Sequence, residues 1–372
     1  MVQYLSKIGI SKLKGTALLR LDFNTKDDWR MKAALPTIQF LQKHADKVVI
    51  LSHKGRPLGF QSQFTLKTDA EELSDLLRRP VAFLPGFNFL QLRSEIEQAK
   101  SKSVFVLENL RFMRGEAENE QMFAKNLASL GDYFVNEAFA VSHRENASVA
   151  AITSFLPSYA GLGFELEIKN LSRVMTHPKK PLVMILGGAK IEEKLGVIKY
   201  FKTKADAFLM GGALANTLLY LKGVNVGKSL IEKKTSKETK ALLALASIVL
   251  PTDFRGESDM IYDIGSESEK RFVDEIKKAK TIVWNGPIGL IEKRQYMNGT
   301  LAVARATAAN TKAFSVVGGG ETVMALKRAN LDKQISFIST GGGAMLDFLA
   351  GKKLPGIAAL ERKNAKRSAY RD

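Results

Sequence analysis

The stretch Leu182–Lys194, LVMILGGAKIEEK, decides the fold. Five aliphatic residues with no charge read as a strand buried on both faces, the pair Gly187 and Gly188 makes a tight turn, and the acidic run after Ile191 opens a helix. Working outward, the same strand–glycine–helix grammar returns in LMGGALANT, TIVWNGPIGLIE, VVGGGETVM and ISTGGGAML. Strands are expected near Leu182–Leu186, Ala207–Met210, Thr281–Trp284, Phe314–Val317 and Ile335–Ile338. The first half repeats the alternation without the glycine pairs, with strands near Ala17–Leu21, Lys47–Leu51, Val81–Leu84, Ser103–Leu107 and Tyr133–Val135. Met31, Leu35, Ile38 and Leu41 share one face of a helix between the first two. Short strands alternating with longer helical periods predict an α/β chain with two doubly wound, Rossmann-like parallel sheets, one per half. A helix is expected over Gly161–Met175, ended by the run His177–Pro181, and the hinge between the lobes is placed there.

Composition sets outer bounds. A chain of 372 residues exceeds one ordinary core, and 45% hydrophobic with 25% charged residues is globular. The absence of cysteine excludes disulfides, thiolate metal sites and a cysteine nucleophile, and the histidines at 44, 53, 143 and 177 match no zinc spacing. No apolar run reaches the length of a membrane helix and MVQYLSKIGISKLKG lacks a signal-peptide core, so a cytoplasmic protein with no membrane partner is expected. The net charge of +18 leaves two partners open, nucleic acid or small polyanions, although clusters such as Lys233, Lys234 and Lys237 read as solvated helix faces. The basic end, Glu361–Asp372, reads as a surface tail.

Ligands of open parallel sheets gather beyond the carboxyl ends of the strands. In the first half those positions carry Asp22 and Asn24 in LDFN, His53 and Arg56 in SHKGRP, Arg111 in LENLRF, and His143 and Arg144 in NEAFAVSHR. One such arginine suits a surface salt bridge, whereas one after nearly every strand suits a shared site for a small ligand with several negative groups. In the second half the glycine turns let a backbone approach a ligand, and the helix starts that follow attract phosphate, with Lys190 and Lys194 beside the first turn. The P-loop pattern fails in GVNVGKS, which has three residues between its glycines where four are needed. It reads as a structural turn. No GxGxxG follows the first strand, which disfavours a dinucleotide-dependent dehydrogenase.

In chain order, LDFN, RMKAALPTI, SHKGRP, LENLRF, NEAF, HRENAS, ILGGAK, WNGPIG, GGGET, STGGGA and LPGIAAL resemble the phosphoglycerate kinase family from end to end. The resemblance implies a glycolytic kinase that moves a phosphoryl group reversibly between 1,3-bisphosphoglycerate and ADP, giving 3-phosphoglycerate and ATP. It implies a 3-phosphoglycerate-binding domain over residues 1–158, onto which 354–372 packs back, a hinge helix over 159–178 and a nucleotide-binding domain over 179–353. The acidic substrate is then expected on Asp22, Asn24, Arg30, His53, Arg56, Arg111 and Arg144. The nucleotide is expected on Gly187, Gly188, Lys194, Gly211, Gly212, Asn285, Pro287, Glu292, Gly320, Glu321 and Thr322, with magnesium at Glu321.

Phosphoryl transfer asks for in-line positioning and positive charge around the equatorial oxygens, and Arg30, Lys190 and the backbone at Gly342 are the expected catalytic groups. A monomer is expected, with ADP or ATP and the phosphorylated acid as partners and no nucleic acid. A non-catalytic nucleotide- or nucleic-acid-binding relative on the same fold is the alternative. Four positions depart from the family pattern: only Thr25–Trp29 separate LDFN from Arg30, Glu321 and Glu137 stand where aspartate is usual, and Ser266 replaces a proline. The last two are expected to be structural substitutions.

Overall fold

Two parallel sheets organise the computed structural model, which describes residues 1–25 and 28–361. The chain divides into one unit of Met1–Ile168 with the segment from Lys353 onward, and a second of Lys169–Lys352. The basic tail read at the end of the sequence lies, after Glu361, outside the described residues.

The first unit is built on β1 (Thr16–Arg20), β2 (Lys47–Leu51), β3 (Ala82–Leu84), β4 (Val104–Leu107), β5 (Tyr133–Asn136) and β6 (Ser158–Ala160). Their order across the sheet is β3-β4-β2-β1-β5-β6, with every pairing parallel. Adjacent residues serve opposite faces. Ala17, Leu19 and Val48 pack with Met31, Ile38 and Leu41 of helix Trp29–His44, while Leu18, Val49 and Phe105 pack with Leu92, Phe123 and Leu127. Burial on both faces is why these strands are continuous apolar runs and not alternating ones. Strand β6 escaped the sequence reading because three residues, Ser-Tyr-Ala, carry no β-branched run. Helix Pro355–Glu361 contacts β6, and its Gly356 N–H donates to Ser142 O at 2.9 Å.

The second unit holds β7 (Leu182–Leu186), β8 (Ala207–Met210), β9 (Ile248–Val249), the hairpin β10 (Phe254–Glu257) and β11 (Met260–Ile264), β12 (Thr281–Asn285), β13 (Phe314–Gly318) and β14 (Phe337–Ser339). Its parallel sheet runs β14-β13-β12-β7-β8-β9, the doubly wound order that reverses direction once, between β7 and β12. In the first unit the same reversal falls between β1 and β5. The hairpin was not read from the sequence because its turn uses Ser258 and Asp259 at φ of 51° and 61° where Asn-Gly would have signalled it. Ser266 is the first residue of helix Ser266–Lys278, a position where proline is tolerated because the N–H it lacks would have no partner within the helix.

Helix Leu162–Thr176 begins in the first unit and ends in the second. Its first turn donates from Gly163 N and Phe164 N to the Glu137 carboxylate, at 2.9 and 3.3 Å. The fit is close, since a Cβ at Gly161 or Gly163 would meet the Glu137 oxygens at 1.9 or 2.3 Å.

Candidate functional site

In the first unit the charged residues after the strands converge at the β1/β5 reversal. The Asp22 carboxylate, at the end of β1, accepts Asn24 N–H at 2.9 Å and pairs with the Arg30 guanidinium, which also lies over the Trp29 ring. Asn24 turns its Oδ1 to the Gly55 N–H at 2.9 Å, which ties LDFN to SHKGRP. Asn109, fully buried, accepts from Lys54 N–H and Arg111 N–H and donates to the carbonyls of Lys54 and Phe64. One amide therefore braces two loops that carry candidate anion ligands. Arg111 and Arg144 are half-buried, and each is held below the ordinary guanidinium value, chiefly by burial and then by neighbouring arginines that include Arg56 for Arg144. His53 is enclosed, and burial, followed by Arg20, Arg111, Arg144 and Arg30, pushes its imidazole well below the usual histidine value. Four guanidiniums thus bear on one neutral ring, and the Nε atoms of Arg30 and Arg111 and the Nε2 of His53 are buried without a hydrogen-bond partner. Arg56 itself stays exposed at the rim, and His143 accepts from the Arg144 Nε at 3.2 Å.

Several members of this cluster went unread in the sequence. Arg20 is the last residue of β1 and is 1% exposed; its signal is a lone charge closing the apolar run TALLR just before LDFN. Glu116 and Ser148, both fully buried, complete its surroundings. They lie far apart in sequence, and although Ser148 closes the HRENAS motif, nothing local ties either residue to Arg20.

In the second unit three turns lock together at the β7/β12 reversal. Gly187 N donates to Asn285 O at 3.0 Å, Gly188 N to Pro287 O at 3.0 Å, and Gly212 N to Ile288 O at 2.8 Å. A Cβ on Gly187 would lie 2.0 Å from Pro287 O, and one on Gly211 would lie 2.6 Å from Ile288 Cδ1. At these two positions glycine is demanded by the neighbouring chain, not only by a ligand as the motif suggested. Gly188, Gly320 and Gly343 face open space instead.

Helix Gly320–Arg328 starts straight after β13, with Gly319 at φ 97° as its N-cap, a residue with no side chain to cap the first N–H groups. Glu321 lies exposed in that first turn. Thr322 is fully buried, and its Oγ1 accepts the Gly286 N–H at 2.9 Å, so its hydroxyl supports the β12 turn. Helix Gly343–Leu349 has Gly342, at φ 51°, as an uncapped N-cap.

The helix after the first glycine pair differs from the expectation of a free phosphate-binding start. It begins at Glu192 with two acidic residues, and Glu232 already accepts the Ile191 N–H at 3.0 Å. Positive charge there comes from side chains: Lys190 is exposed and 3.2 Å from Glu193, while Lys194 is buried, 3.8 Å from the same carboxylate, and held below the ordinary lysine value by burial despite Glu193 and Glu321. Asn285 and Pro287 are buried in the turn, whereas Glu292 is exposed beyond it. GVNVGKS is a turn, with Gly227 N–H on Asn225 Oδ1 and Gly227 bridged to Met260 of the hairpin.

An arginine and histidine cluster at one sheet reversal and a glycine-rich backbone cradle at the other suit a small polyanion and a nucleotide. Comparison with known proteins identifies the family. The sequence profile described as Phosphoglycerate kinase matches residues 12–352. The phosphoglycerate kinase of Dictyoglomus turgidum is 40% identical over 383 residues, covering 94% of this chain and 97% of that protein. That of Desulfosudis oleivorans is 42% identical over 379 residues, covering 93% and 96%. Among solved structures, phosphoglycerate kinase from Coxiella burnetii superposes with a TM-score of 0.82 at 34% identity, covering 98% of this chain and 100% of that one. The enzyme from Pyrococcus horikoshii OT3 gives 0.85 at 31%, covering 96% and 98%. With its two doubly wound sheets and matching sequence over nearly the whole length, this chain belongs to the phosphoglycerate kinase family.

Proposed function

We propose that the cluster around His53 holds 3-phosphoglycerate or its acyl phosphate and that the turns after β7, β8, β12 and β13 hold ADP or ATP. The family's activity is ATP-dependent phosphoryl transfer to a carboxyl group in glycolysis. The observation that carries the assignment of the acid is the set of buried, unpartnered donors at Arg30 Nε, Arg111 Nε and His53 Nε2, beside Arg20, whose Nη2 is 3.2 Å from His53 Nδ1, with the charges of Arg111, Arg144 and Arg30 also bearing on that ring. So many guanidiniums around buried, unpartnered donors call for a multiply charged anion. Asp22 does not compete for that anion. It orients Arg30 and the Asn24 backbone.

In this reading residues 1–158, joined by the described residues from 354 to 361, form the acid-binding domain, 179–353 the nucleotide domain, and 159–178 the hinge. Gly188 and Gly212 give the adenosine close access to backbone, Asn285, Pro287 and Glu292 border the base and ribose, and Lys194 meets the phosphates. The free N–H groups of Gly320, Glu321 and Thr322 receive a phosphate at the helix start. Lys190 and Arg30 supply charge to the equatorial oxygens of the transferring group, joined by the backbone at Gly342.

Among the described residues no cluster of three or more acidic, histidine or cysteine side chains could cage a metal. One exposed carboxylate, Glu321, still fits magnesium, which binds nucleotide phosphates through one or two carboxylates and keeps much of its water. When bound there, magnesium would neutralise developing charge between the phosphates.

Purified protein given ADP, magnesium and 1,3-bisphosphoglycerate is expected to form ATP, followed by a coupled hexokinase assay. Background rates at every substrate concentration would refute the assignment.

A further inference from the structure

Arg20 is the most buried cation among the described residues of the first unit, and four hydrogen bonds hold its fork. Its Nε donates to Ser148 Oγ at 2.7 Å, its Nη1 to the carbonyls of Leu21 and Leu51, and its Nη2 reaches His53 Nδ1 at 3.2 Å. Ser148 passes the restraint on, donating from Oγ to Glu116 Oε1 at 2.7 Å and from its backbone N–H to Glu116 Oε2 at 3.0 Å. Glu116 also lies 3.8 Å from the Arg20 Nη2. Thus a carboxylate from the helix at Arg114–Ala117 and a serine from the HRENAS segment fix the guanidinium from behind.

A guanidinium has donors only, so the imidazole atom it meets must present a lone pair. That assignment sets the other nitrogen. Nε2 must carry the proton, and Nε2 is the atom left buried and unpartnered on a ring that is 1% exposed. We propose that Arg20 is a positioning residue that clamps His53 in its Nε2–H tautomer, so that a neutral ring donates a hydrogen bond to the anionic acid. The proposal rests on the assignment of the acid to this cluster.

The arrangement answers an electrostatic problem. A further cation among Arg20, Arg30, Arg111 and Arg144 would repel its neighbours, whereas a neutral N–H adds a hydrogen bond without adding charge. The opposite tautomer would aim a lone pair at an anion. Asp22 is the competing influence. Its Oδ1 lies 4.0 Å from Nδ1, too far for a hydrogen bond in the intact cluster, but it becomes the dominant charged neighbour of Nδ1 once Arg20 is removed.

The test uses the full chain labelled with ¹⁵N-histidine and free of ligand. With four histidines in the chain, His53 is assigned by comparison with His53→Gln. Long-range ¹H–¹⁵N correlation is expected to show an unprotonated Nδ1 and a protonated Nε2 that do not change across about pH 5 to 8, where an ordinary imidazole titrates. A proton on Nδ1, or an ordinary titration, overturns the proposal.

Arg20→Met is expected to move the proton toward Nδ1 or restore titration. It should also raise the KM for 3-phosphoglycerate about tenfold or more while the KM for ATP stays within about twofold. A raised KM with the wild-type tautomer intact would show that Arg20 acts only through charge and would likewise overturn the clamp. If Arg20→Met does not fold, the wild-type spectrum decides alone. Because the spectrum needs no turnover, an inactive protein with the Nε2–H tautomer would count against the kinase assignment, and an active one with Nδ1–H against this inference.

Discussion

Lys190 and Lys194 differ by four positions and occupy opposite environments. Lys190 is exposed and, among the described residues, is tethered by one ion pair within its own turn, which leaves its ammonium able to follow a phosphate, while Lys194 is buried beside Glu193. An interaction made only as charge develops lowers kcat when removed and leaves ground-state binding alone. Lys190→Met is therefore expected to reduce kcat by about 10²-fold or more with ADP affinity nearly unchanged, a size usual for losing one electrostatic donor. Steady-state kinetics with ADP binding by calorimetry would check it, and normal kcat with lost ADP affinity would contradict it. Both lysines were legible in ILGGAKIEEK. Glu193, the carboxylate that holds them, was legible only as a helix-start residue.

At the scale of elements, two contacts carry predictions. Gly187→Ala would place a Cβ 2.0 Å from Pro287 O, a backbone atom that cannot rotate away. The turns after β7 and β12 would have to separate, destabilising the second unit by about 1–3 kcal/mol and weakening nucleotide binding. Denaturant unfolding read at Trp284, on β12, would report it; an unchanged midpoint would show that the turns are looser than their hydrogen bonds imply.

The second contact is Glu137 at the start of helix Leu162–Thr176. Burial raises its carboxyl to about 8, against the opposing pull of Thr37 and of the Phe164 and Gly163 N–H groups. Below about 4.5, its ordinary value, folded and unfolded chains are both protonated at this group. Between there and about 8 the unfolded chain alone loses the proton, so this group's contribution to stability falls as pH rises, and it is flat above. The transition reported by Trp29 should thus weaken from pH 5 to 8, and Glu137→Gln should remove that part of the slope. An unchanged slope in Glu137→Gln would place the titration elsewhere. Substitution of glutamate for the family's aspartate was visible in NEAF and the helix was expected over Gly161–Met175, but the contact between them was not legible.

At the scale of the molecule, the charge of +18 exceeds what one anion site requires, and clusters such as Lys277 and Lys278 are exposed helix ends paired to Asp274 and Glu275. Such a field raises the encounter rate of anionic substrates and is screened by salt. The kcat/KM for ATP and 3-phosphoglycerate is expected to fall severalfold between about 0.02 and 0.3 M ionic strength, with kcat changing less. Salt-independent kcat/KM would mean the charge serves something other than these substrates. Among the described residues no helix is long and apolar enough to cross a membrane.

The sequence by itself determined the two sheets, the strands at their centres and which strand ends carry arginine or glycine, because a strand buried on both faces must be an unbroken apolar run and its exit turn must be polar or small. It did not determine the edge strands β6 and β9, the hairpin, or the buried meeting of Arg20, Glu116 and Ser148 with His53. Residues 20, 53, 116 and 148 meet only when the sheet order β2-β1-β5 is formed, and the direction of a proton on His53 depends on that meeting. Tertiary structure also gave Gly187, Gly211 and the Thr322 hydroxyl a part in packing one turn on another, since a motif names residues that approach something closely and only the fold says which parts of the chain they approach.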